Sequence, residues 1–441
     1  MITPEIVKRR FEKAVKNTNT LQFSGKITKV IGLVLESEGP KAPIGEVCIL
    51  KNRFGKEICK TEIVGFKDNR ILSMILGEPT EIAPGMEIIA SGEFLSVDVG
   101  DALLGRVLDG LGNSIDGLRE IHTDERRSIY ASPPSPLMRQ RIKEPIATGI
   151  KAIDGMLTLG KGQRIGIFSG SGIGKSILIG MIARNTSADI NVIALIGERG
   201  REVREFLEKD LGKKGLQRSI VIIATSDVPP LVRVKSALVA TTIAEYFRDR
   251  GLDVMFMMDS ATRLAMAQRE VGLTIGEPPT TKGYTPSVFS LLQKTMERAG
   301  TSEIGSITGL YSVLVEGDDL NEPISDASRG ILDGHIVLSR KLASLGHYPA
   351  IDVLESISRV RNDIVKSDHY EACLNIQELL ATFRSAEDLI SVGAYQKGTN
   401  KKIDRAIALM DTINEFLCQK IDESTSYEDT IEQLKKIASK N

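Results

Sequence analysis

The stretch QRIGIFSGSGIGKSILIGMIARN occupies residues 163–185. It opens with the apolar composition of a buried strand and closes with the pattern of a helix. Between them lies a glycine-rich turn that ends in Gly174, Lys175 and Ser176, as the phosphate-binding motif G-x-x-x-x-G-K-[ST] does. Ser169 stands where that motif has its first glycine. Because serine is also small, the turn predicts a nucleotide site; the alternative is an ordinary glycine-rich turn.

The predicted loop has the chemistry that a polyphosphate needs. Its glycines let the main chain approach phosphate oxygens without interference from Cβ atoms, and the helix that follows points backbone N–H groups at the anion. Lys175 can reach the β and γ phosphates of ATP, and the Ser176 hydroxyl can bind Mg²⁺. The predicted nucleotide-binding residues of the loop are Ser169, Gly170, Ser171, Gly172, Ile173, Gly174, Lys175 and Ser176.

The sequence around the loop alternates between apolar runs and amphipathic runs. Predicted strands lie at 163–168, 190–197, 219–226 and 253–259, and predicted helices separate them. Apolar strands that alternate with helices indicate a parallel sheet covered on both faces. The sequence therefore predicts an α/β fold for this part of the chain.

Two carboxylates follow predicted strands of this sheet. Asp259 ends the run VMFMMD and is predicted to bind the magnesium ion, although it could also cap the next helix. Glu198 follows the strand before it, in the segment LIGERGREV. Ligands of parallel sheets bind at the carboxyl ends of the strands. Glu198 is therefore predicted to be the catalytic carboxylate that orients or polarises water.

The flanking regions differ in composition from the sheet. Residues 21–92 contain short runs rich in isoleucine and valine between turn residues, which indicate a small β-barrel or sandwich. The nucleotide-binding domain is predicted over 93–365, and it includes a proline-bearing extended connector at 131–145. A helical C-terminal domain is predicted over 366–441. Its apolar residues at helical spacing are Cys373, Ile376, Leu380, Phe383, Ile403, Ile407, Met410, Ile413, Leu417 and Ile421.

Composition excludes several classes of protein. The net charge of −1 and pI near 6.5 give no electrostatic case for nucleic acid as the main partner. The four cysteines have no metal-ligand spacing and are predicted to be reduced thiols of a cytosolic protein. No apolar run approaches the roughly eighteen residues of a membrane helix. These features predict an intracellular globular protein.

With these motifs in view, the chain resembles the ATPases of bacterial type III protein export, and in particular their flagellar branch. These enzymes are homologues of the α and β subunits of rotary ATP synthases. The resemblance covers nearly the whole chain and implies a β-barrel, a RecA-like P-loop ATPase core and a helical C-terminal domain. It is carried by residues 102–117, 148–176, 195–203, 257–289, 313–340 and 346–360, of which the EGDD…ILDGHI block is specific to the export branch.

The resemblance implies roles for further residues. Arg199 and Arg263 match arginines near the phosphates, and Tyr348 matches an aromatic residue that packs on adenine. Arg359 matches an arginine supplied to the neighbouring subunit's site, which implies a ring, usually a homohexamer. From the sequence alone, a core tyrosine and a local salt bridge would be the simpler interpretations of Tyr348 and Arg359.

The resemblance also implies partners. A central stalk-like protein is expected at loops around 283–286 and 316–319, and export gate proteins and substrate–chaperone complexes are expected nearby. Residues 1–20 are predicted to form a basic amphipathic leader helix. The leader is expected to meet a regulatory partner and acidic lipid, at the inner face of the cell membrane. Its alternative is a helix packed on the barrel.

The function implied is ATP hydrolysis that assists the unfolding and export of flagellar proteins. An ATPase of a virulence injectisome is the nearest alternative, followed by a rotary-synthase catalytic subunit. An RNA-translocating hexamer would need a basic, aromatic face in residues 21–92, which offer mainly Phe23, Phe54 and Phe66. A nucleotide-binding scaffold without turnover would lack Glu198 or Arg359.

Overall fold

The computed structural model describes residues 22–78, 81–123, 125–315, 317, 319 and 321–440. The chain divides into two compact units, residues 1–95 and 96–441. The predicted leader helix over 1–20 lies outside the described residues. No described helix has both the length and the apolar composition that crossing a membrane requires.

The first unit is a closed antiparallel barrel with the strand order β1-β2-β5-β4-β3-β6. Closure pairs every strand on both sides and so removes exposed sheet edges. Leu35, Leu50, Ile63 and Ile88 are completely buried inside it. The predicted β-barrel is confirmed. Its strands are β1 Ser24–Ile31, β2 Val34–Glu38, β3 Glu46–Lys51, β4 Glu57–Lys67, β5 Arg70–Ile75 and β6 Glu87–Phe94.

The second unit is built on a sheet with the order β19-β18-β12-β17-β15-β13-β14-β8, with β16 paired to β17. All pairs along this path are parallel except β18–β19, so the predicted parallel sheet is confirmed. The strands are β8 Val107–Asp109, β12 Arg164–Ser169, β13 Ile190–Ile196, β14 Ser219–Ala224, β15 Asp253–Asp259, β16 Gly300–Thr301, β17 Ser306–Leu314, β18 Gly334–Leu338 and β19 Ile351–Ser358. Two small pairs accompany the sheet, β7 Ser96–Val99 with β9 Glu125–Ser128 and β10 Pro145–Ile146 with β11 Leu159–Gly160.

The α-helices of the described residues all lie in the second unit. They are α1 Lys175–Asn185, α2 Gly200–Glu205, α3 Gly212–Gln217, α4 Pro230–Arg248, α5 Ala261–Thr274, α6 Pro286–Glu297, α7 Pro323–Ile331, α8 Arg340–Ser344, α9 Arg361–Ile364, α10 Ser367–Ser391, α11 Lys401–Leu417 and α12 Tyr427–Ala438. Two π-helical segments lie at Ala152–Leu157 and Phe206–Leu211, and short 3₁₀ turns lie at Asp101–Leu103, Pro136–Met138 and Thr281–Gly283.

The structure differs from the sequence prediction mainly near the carboxyl terminus. Apolar spacing extended a helix to Ile421, but α11 ends at Leu417, because Cys418 takes an extended backbone with φ −78° and ψ 144°. Residues 418–426 instead form a connector to α12, which the sequence did not separate from α11. The connector 131–145 forms no α-helix, in line with the prediction, and it contains a 3₁₀ turn at Pro136–Met138.

One hydrophobic core joins the sheet to the C-terminal helices. Ile376 and Ile413, from α10 and α11, belong to the same cluster of buried residues as Ile167 of β12 and Met257 of β15. The helices that end the chain therefore pack with the nucleotide-binding sheet rather than around a separate centre.

Candidate active site

The phosphate-binding loop has a backbone that favours glycine. Gly172 and Gly174 have positive φ angles of 76° and 95°, a region where other residues are strained. Helix α1 begins at Lys175, directly after Gly174. Its first-turn N–H groups are therefore available to the loop, which is the arrangement that binds anions.

Three charged side chains meet beside the loop. The Lys175 ammonium group forms an ion pair with Asp259 and lies 3.7 Å from Glu198 Oε1. The exposed fractions of the three side chains are 11%, 4% and 15% respectively. They meet because β12, β13 and β15 run parallel, so that the residues after these strands reach the same edge of the sheet.

Asp259 is held in place by a residue that sequence reasoning missed. Ser312 Oγ donates a hydrogen bond of 2.7 Å to Asp259 Oδ1 from the neighbouring strand β17. A serine near the carboxyl end of the largely apolar strand ITGLYSVL was the available signal. The predicted alternative for Asp259, a helix cap, is wrong, because Ser260 caps α5 by accepting a bond from the Arg263 N–H.

Burial and neighbouring charges shift the ionisation of this cluster. Burial raises the pKa of Glu198 to about 7, Asp259 adds to the increase, and Lys175 opposes it. Burial lowers the pKa of Lys175, but Asp259 and Glu198 outweigh it and the net shift is upward. Lys175 therefore stays positively charged, whereas Glu198 gains or loses its proton near neutral pH.

The two arginines predicted near the phosphates occupy different parts of the cavity. The stem of Arg263 crosses closely over Gly197, where an added Cβ would lie 2.8 Å from the Arg263 Cβ. Arg263 Nε is buried and has no hydrogen-bond partner among the described residues. Arg199 is 80% exposed, and its guanidinium lies 3.7 Å from Glu202. Both residues line the cavity, Arg263 in its interior and Arg199 at its mouth.

Tyr348 also lies beside the phosphate-binding loop. Its ring carbons would be 3.7 and 3.8 Å from a Cβ placed on Gly174, so the ring stands close to the loop backbone. The side chain is 47% exposed, which excludes the core-tyrosine interpretation. The connector residues 418–423 also line the cavity, and no pattern in the sequence indicated this.

Arg359 is not at this cavity in its own chain. Its backbone N–H donates to the Asp333 carbonyl, and the Asp333 N–H donates to the carbonyl of Arg164, the first residue of β12. Arg359 therefore lies at the opposite end of β12 from the phosphate loop. Its guanidinium donates a 3.3 Å bond to the Arg329 carbonyl. Among the described residues it has no ion pair, so the local salt-bridge interpretation is wrong.

The polar groups at the site fit a magnesium nucleotide. The described residues hold no cluster of three or more His, Cys, Asp or Glu side chains that could bind a metal ion. Protein sites for Mg²⁺ commonly use one or two protein ligands together with phosphate oxygens. Ser176 and Asp259 supply such a pair of ligand types. Glu198 Oε1 is buried and has no hydrogen-bond partner among the described residues, as expected of a group that faces a ligand.

The cavity that these residues line has a volume of about 1800 Å³. Of the predicted site residues, 170–176, Glu198, Arg199, Arg263 and Tyr348 line it directly. Ser169 and Asp259 lie beneath its wall, and Arg359 lies away from it. The structure therefore brings together all predicted site residues except Arg359.

Comparison with known proteins places the chain in a family. Residues 149–358 match the nucleotide-binding domain of the ATP synthase alpha/beta family, and residues 27–92 match the beta-barrel domain of the same family. Residues 365–436 match the C-terminal domain of the T3SS EscN ATPase.

Curated relatives match over nearly their whole length. The flagellum-specific ATP synthase of Bacillus subtilis is 54% identical over 95% of this chain and 96% of its own. That of Salmonella typhimurium is 49% identical over 96% and 95%. A type 3 secretion system ATPase of Xanthomonas euvesicatoria is 50% identical over 93% of both chains.

The solved structure of the assembled ATPase EscN from enteropathogenic E. coli matches with a TM-score of 0.89 and 45% identity, covering 94% of this chain and all of that one. EscN in complex with its central stalk EscO matches with a TM-score of 0.87. The barrel, the sheet and the phosphate loop described above are thus shared with proteins of known activity. This chain belongs to the family of flagellum-specific ATP synthases and type 3 secretion system ATPases, and it is a nucleotide-binding P-loop ATP hydrolase.

Proposed function

We propose that this chain hydrolyses ATP to assist the export of flagellar proteins, as one subunit of a ring. The observation that carries the proposal is the meeting of Lys175, Asp259 and Glu198 beside a glycine-rich loop at the carboxyl edge of a parallel sheet. The flagellar branch is proposed over the injectisome because the 54% identity to the flagellum-specific ATP synthase of Bacillus subtilis exceeds the 50% identity to the type 3 secretion system ATPase of Xanthomonas euvesicatoria.

In the proposed reaction the loop and Lys175 hold the phosphates. Loop N–H groups and the lysine ammonium neutralise phosphate charge, and Arg263 adds a second cation beside them. Ser176 and Asp259 would hold Mg²⁺. When bound, the ion neutralises charge that develops on the phosphate oxygens.

Glu198 is proposed to be the general base. Its carboxylate is buried and lies 3.7 Å from the Lys175 ammonium group, and its pKa is raised to about 7. A base is most effective when its pKa is near the working pH. Glu198 can therefore accept a proton from the attacking water while the lysine remains charged.

The remaining roles concern the base and the ring. Tyr348 is proposed to pack on adenine, and Arg199 is proposed to act near the phosphates from the cavity mouth. Arg359 is proposed to serve the neighbouring subunit, because it lies at the opposite end of β12 from its own phosphate loop. The assembled form of EscN supports a ring, for which six subunits are proposed.

Further partners follow from the relatives. A central stalk-like protein is proposed because EscN was solved with the central stalk EscO. The predicted contact loop at 283–286 is described, whereas residues 316, 318 and 320 near the second loop are not. The regulatory partner, the export gate, the substrate–chaperone complexes and the location at the inner face of the membrane remain predictions.

Deletion of the gene in its source organism tests the function. Export is measured as flagellar filament protein in the culture medium. The wild-type gene should restore it, and Lys175→Ala, which removes the cation from the phosphate loop, should not. Lys341→Ala is a matched control, because Lys341 is 69% exposed on α8, and this variant should restore export. Normal flagellar export in the deletion strain would contradict the flagellar assignment.

A further inference from the structure

Gln419 is a buried residue of the connector between α11 and α12, and it lines the cavity together with Tyr348. It is only 6% exposed. Its backbone N–H donates a 2.9 Å hydrogen bond to the carbonyl oxygen of Tyr348. The tyrosine that is proposed to pack on adenine is thus tied through its main chain to the connector 418–423, which faces the same cavity.

The Gln419 side chain fixes this connector to the core. Its Oε1 accepts from the Lys151 N–H at 2.9 Å, and its Nε2 donates to the carbonyls of Gly149 and Glu423 at 2.8 and 2.9 Å. Both ends of the amide are therefore engaged by the main chain. An amide with its donors and acceptor so occupied has little capacity left to read a nucleobase.

The segment to which Gln419 is bonded is itself hydrogen-bonded to a buried carboxylate. The Asp154 carboxylate accepts from the backbone N–H groups of Thr148 and Gly149, both at 2.9 Å, and Asp154 is completely buried. An ion pair of 2.9 Å between Lys151 and Glu423 joins the same two segments. The connector is thus bonded to a buried and hydrogen-bonded part of the core.

We propose that Gln419 is a positioning residue for the base end of the nucleotide, which holds Tyr348 and the connector 418–423 at a fixed separation. This inference rests on the proposed ATP hydrolysis with the base beside Tyr348. Gln419 is expected to act on the base and not on the phosphates, because its four bonds go to Tyr348, Lys151, Gly149 and Glu423 and none goes to the phosphate loop 169–176. It is expected to affect ligands that carry a base and to leave base-free phosphates unaffected.

Calorimetric titration of the full-length chain with Mg-ADP and with inorganic pyrophosphate tests the proposal. Gln419→Glu keeps the shape of the side chain but turns an acceptor toward the carbonyls of Gly149 and Glu423. A buried acceptor without a donor is costly, so Mg-ADP should bind about tenfold more weakly. Pyrophosphate, which has no base, should bind with unchanged affinity. Gln396→Glu makes the same change on an exposed turn and should alter neither affinity.

Equal weakening of Mg-ADP and pyrophosphate in Gln419→Glu would overturn the proposal, because the residue would then support the whole site. Unchanged Mg-ADP binding would overturn it as well. If Gln419→Glu does not fold, Gln419→Asn, which keeps the amide but shortens the side chain, should weaken Mg-ADP selectively, and equal weakening would again overturn the proposal. A wild-type chain that hydrolyses ATP but binds Mg-ADP no more tightly than pyrophosphate overturns the base site alone. A wild-type chain that binds neither ligand overturns the proposed function itself.

Discussion

Two clusters of charged residues, at opposite edges of the central sheet, differ in how many of their polar atoms have hydrogen-bond partners. At the carboxyl edge, Lys175 faces two carboxylates, and Glu198 and Arg263 have buried polar atoms without partners among the described residues. At the opposite edge, which we call the saturated edge, the Arg298 guanidinium is bonded through all three nitrogens, including two bonds to Glu245. Buried charged groups whose polar atoms all have hydrogen-bond partners indicate a structural role. Buried charged groups that lack partners indicate a place where a ligand binds.

Arg359 is the exception that sharpens this comparison. It lies at the saturated edge, beside Asp333 and Arg164, yet it is exposed and its guanidinium meets only a backbone carbonyl at 3.3 Å among the described residues. Arg164, by contrast, pairs with both Asp333 and Glu297. An unpaired arginine at a structural edge is explained if its partner belongs to another subunit.

The largest predicted effect therefore concerns Arg359. An arginine supplied in trans is worth about 10³ to 10⁵ in rate at comparable phosphoryl-transfer sites. Specific ATPase activity should rise steeply with protein concentration, and Arg359→Ala should remove that rise without blocking assembly. Activity is measured by phosphate release and assembly by analytical ultracentrifugation.

A mixing experiment tests the direction of donation. Arg359→Ala retains an intact phosphate loop, and Lys175→Ala retains an intact arginine, so rings that contain both have some complete boundaries. Activity should reappear when the two inactive proteins are mixed. If mixed rings form and restore nothing, Arg359 does not act across subunits.

Substitutions at the saturated edge should lower the free energy of unfolding. Arg298→Met leaves the Glu245 carboxylate buried without its partner, which should lower the free energy of unfolding by about 3–5 kcal/mol. Urea denaturation followed by circular dichroism measures the change. Lys341→Met removes one partner of the exposed pair Lys341–Glu387 and should have no measurable effect, since exposed pairs contribute little.

Replacing both Arg298 and Glu245 distinguishes the cost of leaving a buried charge alone from the cost of changed packing. Arg298→Met combined with Glu245→Leu should recover much of the lost stability, because no buried charge is then left alone. A single Arg298→Met variant as stable as the wild type would contradict the structural assignment of this edge.

Substitutions at the carboxyl edge should lower the rate of ATP hydrolysis. Glu198→Gln should still bind Mg-ATP but hydrolyse it at least about a hundredfold more slowly, the usual scale for losing a proton-transfer group. Its unfolding midpoint should not fall, because an amide in that place removes a buried charge. Glu205→Gln is the matched control, since Glu205 lines the same cavity but pairs with Lys209 on the surface. Wild-type turnover by Glu198→Gln would mean that another group acts as the base.

Local sequence was sufficient to predict the strands and helices of the parallel sheet and most of the residues at its carboxyl edge. The strand DVMFMMD at 253–259 and the helix at 175–185 lie where their apolar patterns placed them. Asp259 and Glu198 could be predicted to meet because parallel strands deliver their ends to one edge, whatever lies between them in the chain. The inference needed only the strand pattern and the position of each carboxylate.

The base end of the cavity could not be predicted in this way. The connector 418–423 is far in sequence from Tyr348, and the apolar spacing of α11 continued into it at Ile421. Beyond the end of the helix, long-range bonds from Gln419 to the carbonyls of Gly149 and Tyr348 hold the chain in place. Tertiary contacts of this kind leave no periodic signal in the sequence.

The smallest predicted effect concerns His369, a buried ionisable residue. Like Arg298, it is hydrogen-bonded within the fold. It is 2% exposed, and its ring lies 2.7 Å from the Gly155 carbonyl, so Nε2 carries the hydrogen and donates. Burial lowers its pKa in the folded chain, and the bond to Gly155 offsets this only in part. The unfolded chain therefore binds a proton more readily than the folded chain does.

The sign of the pH dependence follows from this difference. The contribution of His369 to stability is fully present above its unfolded pKa near 6.5 and is lost as the pH falls below that value. His369→Gln keeps a donor for Gly155 but cannot titrate, so its unfolding free energy should fall less steeply than that of the wild type between about pH 7 and pH 5. His122→Gln, at an exposed position, is the control and should keep the wild-type slope. Parallel slopes for the wild type and His369→Gln would show that this histidine does not charge on unfolding, whereas ATPase activity at pH 7 should be the same in all three proteins.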